Sequence, residues 1–92
     1  MVALSKGSAL TISSNTITPT HDMHHVTGGG ELHTITAPSP AYPCMLVLLF
    51  DSGGSWTTAG NIATSGASFS SNTPTIFIYD PDTTSWYVNK GP

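Results

Sequence analysis

Cys44-Met45-Leu46-Val47-Leu48-Leu49-Phe50 is a run of seven apolar residues. It shows no alternation and is too short for an ordinary helix, so it reads as a strand covered on both faces. Asp51-Ser52-Gly53-Gly54 turns the chain behind it. Further on, Thr75-Ile76-Phe77-Ile78-Tyr79-Asp80 and Ser85-Trp86-Tyr87-Val88 flank Asp80-Pro81-Asp82-Thr83 and read as a hairpin. Ile76 and Ile78 point to one side of it and Phe77 and Tyr79 to the other; Trp86 and Val88 lie opposite Tyr87.

Toward the N-terminus the pattern stays extended but in shorter pieces. Leu10 and Ile12 alternate with Thr11 and Ser13, Asn15 punctuates, and Thr16-Ile17-Thr18 runs on to Pro19. His24-His25-Val26-Thr27 continues as strand up to the breaker Gly28-Gly29-Gly30, and Glu31 to Thr36 reads as another strand. Pro38, Pro40 and Pro43 make Ala37 to Pro43 a loop, because a central strand needs the N–H groups they lack. From Ser55 to Ser71, Gly60 and Gly66 divide the chain into tight β pieces. No stretch holds apolar residues at helical spacing over three turns. The expected fold is all-β: a small antiparallel β-sandwich or barrel of jelly-roll type, with residues 1–8 as an N-terminal arm and residues 9–92 as a single β domain.

Ninety-two residues suffice for one domain. A chain of this size buries only about 60–70% of its unfolded surface, so reinforcement is expected. Cys44 is the single cysteine, which rules out an intrachain disulfide. Oligomerisation is the first candidate for reinforcement and a metal the second. Lys6 and Lys90 are the only Lys or Arg residues, facing five Asp or Glu. That count cannot supply the positive footprint of a nucleic-acid binder or a polybasic membrane patch. Polarity comes instead from 26 Ser and Thr residues, and a surface so poor in charge suits protein contacts. The longest apolar run falls far short of a membrane span. Met1 to Lys6 lacks the apolar stretch of a signal peptide, so synthesis and folding in a cytoplasm are expected.

Several residue sets invite a chemical reading. His21, His24, His25 and His33, with Asp22 and Glu31, are reminiscent of the ligands of a small cupin-like metal enzyme. Ligands on a strand converge at i and i+2, and adjacent His24 and His25 diverge if extended. An ion on an oligomer axis, held by one histidine per subunit, is the other metal reading. No Gly-x-Ser-x-Gly elbow is present, and Cys44 has too few cations nearby to become a reactive thiolate. Asp80-Pro81-Asp82 lacks the rest of a calcium loop and reads as a turn whose carboxylates accept backbone N–H groups. Gly28-Gly29-Gly30 lacks the lysine and helix of a phosphate loop. No catalytic, cofactor-binding or metal-ligating set is therefore assigned. Trp56, Trp86, Tyr42, Tyr79 and Tyr87 are candidates for stacking on sugars, against packing in a core or interface.

Taken in order, Leu32-His33-Thr34-Ile35, Met45 to Phe50, Gly60-Asn61-Ile62, Gly66-Ala67-Ser68-Phe69, Thr75 to Asp80 and Ser85 to Val88 resemble a β-structured module. That module occurs in tailed-bacteriophage appendages: tail spikes, head fibres and capsid decoration proteins. The resemblance runs over roughly residues 9 to 89. It implies a homotrimeric virion surface protein without enzymatic activity. With no shaft or host-binding tip, the chain fits a capsid decoration (cementing) or head-fibre protein better than a receptor-binding spike.

The apolar strand and both faces of the hairpin carry more hydrophobic surface than one small sandwich can cover. A symmetric partner would cover it, and in the trimer that the resemblance implies three copies would meet around Leu46, Leu48, Phe50, Phe77, Tyr79 and Trp86. The expected partners are two further copies and the major capsid protein or other virion proteins, with host-surface glycans as the alternative. Nucleic acid, membrane and cofactor are not expected. Location on the virion surface follows from the same reading.

Overall fold

Extended segments of two to seven residues, separated by Gly, Asn and Pro, let the chain wind rather than fold back and forth. The computed structural model describes residues 3–89. Ten strands follow in order: β1 (Leu10–Thr11), β2 (Thr16–Ile17), β3 (Met23–Thr27), β4 (Glu31–Leu32), β5 (Thr34–Ile35), β6 (Cys44–Phe50), β7 (Gly54–Trp56), β8 (Ser68–Phe69), β9 (Pro74–Asp80) and β10 (Ser85–Val88). There is no helix among the described residues, and the fold is all-β. Among the described residues there is no helix long and apolar enough to cross a membrane.

The expected antiparallel sandwich or barrel is corrected. β1 pairs with β3, β3 with β6, β2 with β5 and β4 with β7, all in parallel. These pairings build three stacked rungs. The first holds β1 and β2, the second β3, β4 and β5, and the third β6, β7 and the Asn61–Ala63 segment. The second rung visits the three sheets in turn and the third follows the same path, with the Asn61–Ala63 segment in place of a strand beside β5, as in a β-solenoid; the first rung has no strand in the β4-β7-β8 sheet. The sheets do not close into a barrel; they have five strands (β1-β3-β6-β9-β10), two (β2-β5) and three (β4-β7-β8). Period-2 alternation identifies a strand and its two faces, but it carries no information about a partner's direction. That is why the parallel winding was not legible in it.

Corners hold the rungs in register. Gly30 at φ 141° and Gly54 at φ 144° occupy equivalent corners of the second and third rungs. A Cβ on Gly54 would come within 2.9 Å of the Gly30 carbonyl oxygen, so only glycine permits the stack there. In the first rung Ser14 (φ 51°) and Asn15 (φ 62°) make a two-residue turn closed by reciprocal Ser13–Thr16 backbone hydrogen bonds. His33 breaks the single strand expected over Glu31 to Thr36 into β4 and β5, which belong to different sheets.

The last third of the chain returns antiparallel. β8 pairs with β7, β9 with β6 and β10 with β9, so the expected hairpin is present, with Tyr87 opposite Ile78 and Val88 opposite Phe77. Its turn is the expected one: the Asp82 N–H donates to Asp80 Oδ1 at 2.9 Å. The far edge of β10 is covered as well. Trp86 N–H donates to Asn61 O and Ala63 N–H to Trp86 O, both at 2.8 Å, which ties the hairpin to the third rung.

Of the arm expected over residues 1–8, Ser5 and Gly7 already belong to the first rung. Met23 N–H donates to Ser5 O, Gly7 N–H donates to Met23 O, and Lys6 bridges Met23 in parallel. Met1 and Val2, and Lys90 to Pro92 at the end of the expected domain, lie outside the described residues.

One core runs through the stack. Val26 sits between Leu10 and Phe50 in adjacent strands, Ile17 beside Ile35, and Leu32 beside Trp56. Phe69 closes it, stacked on Phe50 with ring centres 3.7 Å apart and packed against Trp56 and Phe77. Aromatic pairs of this kind add about 0.5–1.5 kcal/mol beyond the area they bury.

Candidate interaction surface

The outward side of the five-stranded sheet follows from strand parity. Leu46, Leu48 and Phe50 of β6 point into the core, so Met45, Val47 and Leu49 point out. On β9 the inward residues are Thr75, Phe77 and Tyr79, which leaves Ile76 and Ile78 outside. The register aligns these outward side chains in rows. Met45 lies opposite Ile78, and Ile78 opposite Tyr87; all three are 40–45% exposed. The next row is Met23, Val47 and Ile76. A third places His25, Leu49 and Pro74 side by side. The result is an apolar face four strands wide with a polar margin. On that margin His25 Nδ1 meets Asp51 Oδ1 at 2.6 Å, and the Thr11 and Thr27 hydroxyls are 3.2 Å apart.

The six residues expected at a trimer interface are on the other side. Leu46, Leu48, Phe50, Phe77, Tyr79 and Trp86 are 0–4% exposed within a single chain. They form its own core, and an exposed contact face cannot be built from them. The correction has a simple cause: both parities of β6 and β9 are apolar, so alternation could not tell inside from outside. Met45–Phe50 is likewise not covered on both faces, since Met45 remains 40% exposed.

The aromatic set divides. Trp56, Trp86 and Tyr79 are buried, with Trp56 Nε1 donating to Thr64 O at 3.2 Å and Trp86 Nε1 to Ile35 O at 3.0 Å. Only Tyr42, 53% exposed, and Tyr87 are open to contact.

The histidines serve separate local purposes. His25 pairs with Asp51 and His33 with Glu31. His24 is fully buried, and its Nδ1–H donates to the Ser8 carbonyl at 2.7 Å while Nε2 accepts the N–H groups of Thr20 and His21, each at 3.1 Å. These bonds fix the tautomer and fasten the Thr20–Asp22 turn to the sheet. Among the described residues no three His, Cys, Asp or Glu side chains converge as metal ligands would.

Beside that turn lies a cleft of about 370 Å³, bordered by the Ser39–Tyr42 loop and the start of β6. Cys44 lines it, and burial first, then the negative charge of Asp22, push its thiol pKa up, so it is held as the weakly nucleophilic thiol. No sequence signal singled out this cleft, because its walls come from segments that read as turns and loops. Comparison of the chain with protein-family models, curated proteins and solved structures finds no match.

Proposed function

We propose that this is a structural assembly protein: a homotrimeric bacteriophage capsid decoration (cementing) or head-fibre protein that binds and stabilises the capsid surface and has no enzymatic role. The observation that supports the reading is the outward apolar face of the five-stranded sheet. Exposed Met45, Ile78 and Tyr87, with half-buried Leu49 and Ile76 beside them, form an uncharged centre, and His25, Asp51, Thr11 and Thr27 supply the polar margin of a protein contact. Contiguous exposed apolar surface of this kind marks interaction sites. In this reading the copies meet through the outward parity of β6 and β9, while the inward parity holds each subunit together. Binding only the assembled shell stabilises that shell by mass action.

The test has two parts. Native mass spectrometry should give a mass of three chains of 9.6 kDa. Co-sedimentation should show the protein with expanded capsids and not with bacterial cells. A monomer at micromolar concentration that sediments with neither would end the proposal.

A further inference from the structure

The cleft beside the Thr20–Asp22 turn has the features of a small-molecule site, and the sheet face plays no part in the argument for it. Its volume, about 370 Å³, lies within the range of about 300–1,000 Å³ usual for such sites. Trp86 and Leu46, both 2% exposed, form an apolar base. Thr18, Thr20 and Thr36 line it together with His21, Asp22 and the 53% exposed Tyr42, and the Thr18 and Thr36 hydroxyls lie 3.0 Å apart.

The polar groups of the wall are already fixed. Asp22 Oδ2 accepts both the N–H and the Oγ–H of Ser5, at 3.2 and 3.0 Å, and Asp22 N–H donates back to Ser5 Oγ. His21 is held at Nδ1 by the Thr20 hydroxyl at 2.9 Å, and its ring meets the edge of His24 at 5.9 Å. Buried His24 accepts the N–H groups of Thr20 and His21, so it acts as a positioning residue for the wall. Groups fixed before a ligand arrives lose little further freedom on binding it.

The chemistry of the lining selects a ligand class. No Lys or Arg lines the cleft, so nothing there compensates an anion. Its single carboxylate falls far short of the six to eight oxygens calcium takes. What remains is an uncharged molecule with many hydroxyls and one apolar side. We propose that the cleft binds a neutral sugar residue, with the Tyr42 ring packed on the C–H face of the pyranose. Asp22, His21 and the threonine hydroxyls bond its hydroxyl groups. The site belongs to a single chain, and it shares Met45 with the outward sheet face.

The experiment titrates the full chain with glucose, galactose, mannose and N-acetylglucosamine, each up to about 50 mM, and follows tryptophan fluorescence and amide NMR shifts. At least one sugar should give a saturable response that moves the amides of Thr20 to Asp22. Tyr42→Ala should weaken that response about tenfold, Tyr42→Phe should keep it within about threefold, and Tyr87→Ala should leave it unchanged. Tyr42 is exposed on a loop, so its variants test binding and not folding, and matching circular dichroism spectra confirm that. No saturable response to any of the four sugars overturns the proposal. A response that survives Tyr42→Ala overturns it too, as does one lost equally in Tyr42→Phe.

Discussion

The side-chain amide of Asn61 is bonded to both main-chain polar groups of Ile35. Ile35 N–H donates to Asn61 Oδ1 at 2.9 Å, and Asn61 Nδ2 donates to Ile35 O at 2.7 Å. A neighbouring strand would make the same two bonds, so one side chain continues the β2-β5 sheet into the third rung. Trp86 Nε1 reaches the same carbonyl at 3.0 Å, which makes Ile35 the point where rung and hairpin meet.

Asn61→Ala should therefore leave the Ile35 N–H without a partner while Trp86 still serves the carbonyl. An orphaned buried group costs about 1–3 kcal/mol, and a loss of about 2 kcal/mol is expected from urea unfolding. Asn61→Asp keeps the acceptor but sets a carboxylate oxygen against the Ile35 carbonyl, and should cost at least as much. A change below about 0.5 kcal/mol for both would show that the side-chain bridge is dispensable.

Gly7 and His24 are coupled by shape. A Cβ on Gly7 would run into Cε1 and Nδ1 of the buried His24 ring and Nδ1 of His21. Gly7→Ala should cost about 1–3 kcal/mol through overpacking. Removing the ring makes room, so in a His24→Ala background the same substitution should cost much less. A double-mutant cycle read by thermal or urea unfolding measures the difference, and additive losses would refute the contact.

These two relationships show what was and was not legible in the sequence. The strand segments, the closing hairpin and its Asp80 turn follow from alternation and turn chemistry, which are local. The parallel winding depends on pairings such as Val26 with Phe50 and Leu32 with Trp56, each across 24 residues, and on Asn61 acting in place of a strand. Nothing within a short window encodes them. His21 to His25 resemble metal ligands by residue type, although no metal is assigned to them, and what their sequence does not reveal is that His24 spends both ring nitrogens on backbone groups. The outward apolar face was visible only as one of two equally apolar parities.

That parity can be tested directly on neighbouring residues. Phe77 is fully buried and Ile78 is 45% exposed. Phe77→Ala should lower the stability of the single chain by about 3–5 kcal/mol, as core truncations of this size do. Ile78→Lys should change it by no more than about 0.5 kcal/mol, since it touches neither cavity nor cap. If the outward face is the contact between copies, Ile78→Lys and Tyr87→Lys should shift the mass seen by light scattering toward one chain. Variants that unfold at Ile78 as readily as at Phe77 would mean the sheet is not oriented as described.

Cys44 supplies the pH dependence. Burial, with Asp22 second, raises its thiol pKa above the ordinary value of 9.0, so the folded chain holds the proton more tightly than the unfolded one. The stabilisation this gives is complete below the unfolded value and is lost as pH rises through the folded one. Stability of the parent relative to Cys44→Ala should thus be level through neutral pH and fall only above about pH 9. Alkylation by iodoacetamide should accelerate at a higher pH than for free cysteine, because only the thiolate reacts. Asp22→Asn retains an oxygen to accept from Ser5 but removes the charge, so it should bring the alkylation profile to lower pH without reaching that of free cysteine. A profile that Asp22→Asn leaves in place would show that burial alone sets the shift, and a parent profile matching free cysteine would remove both causes.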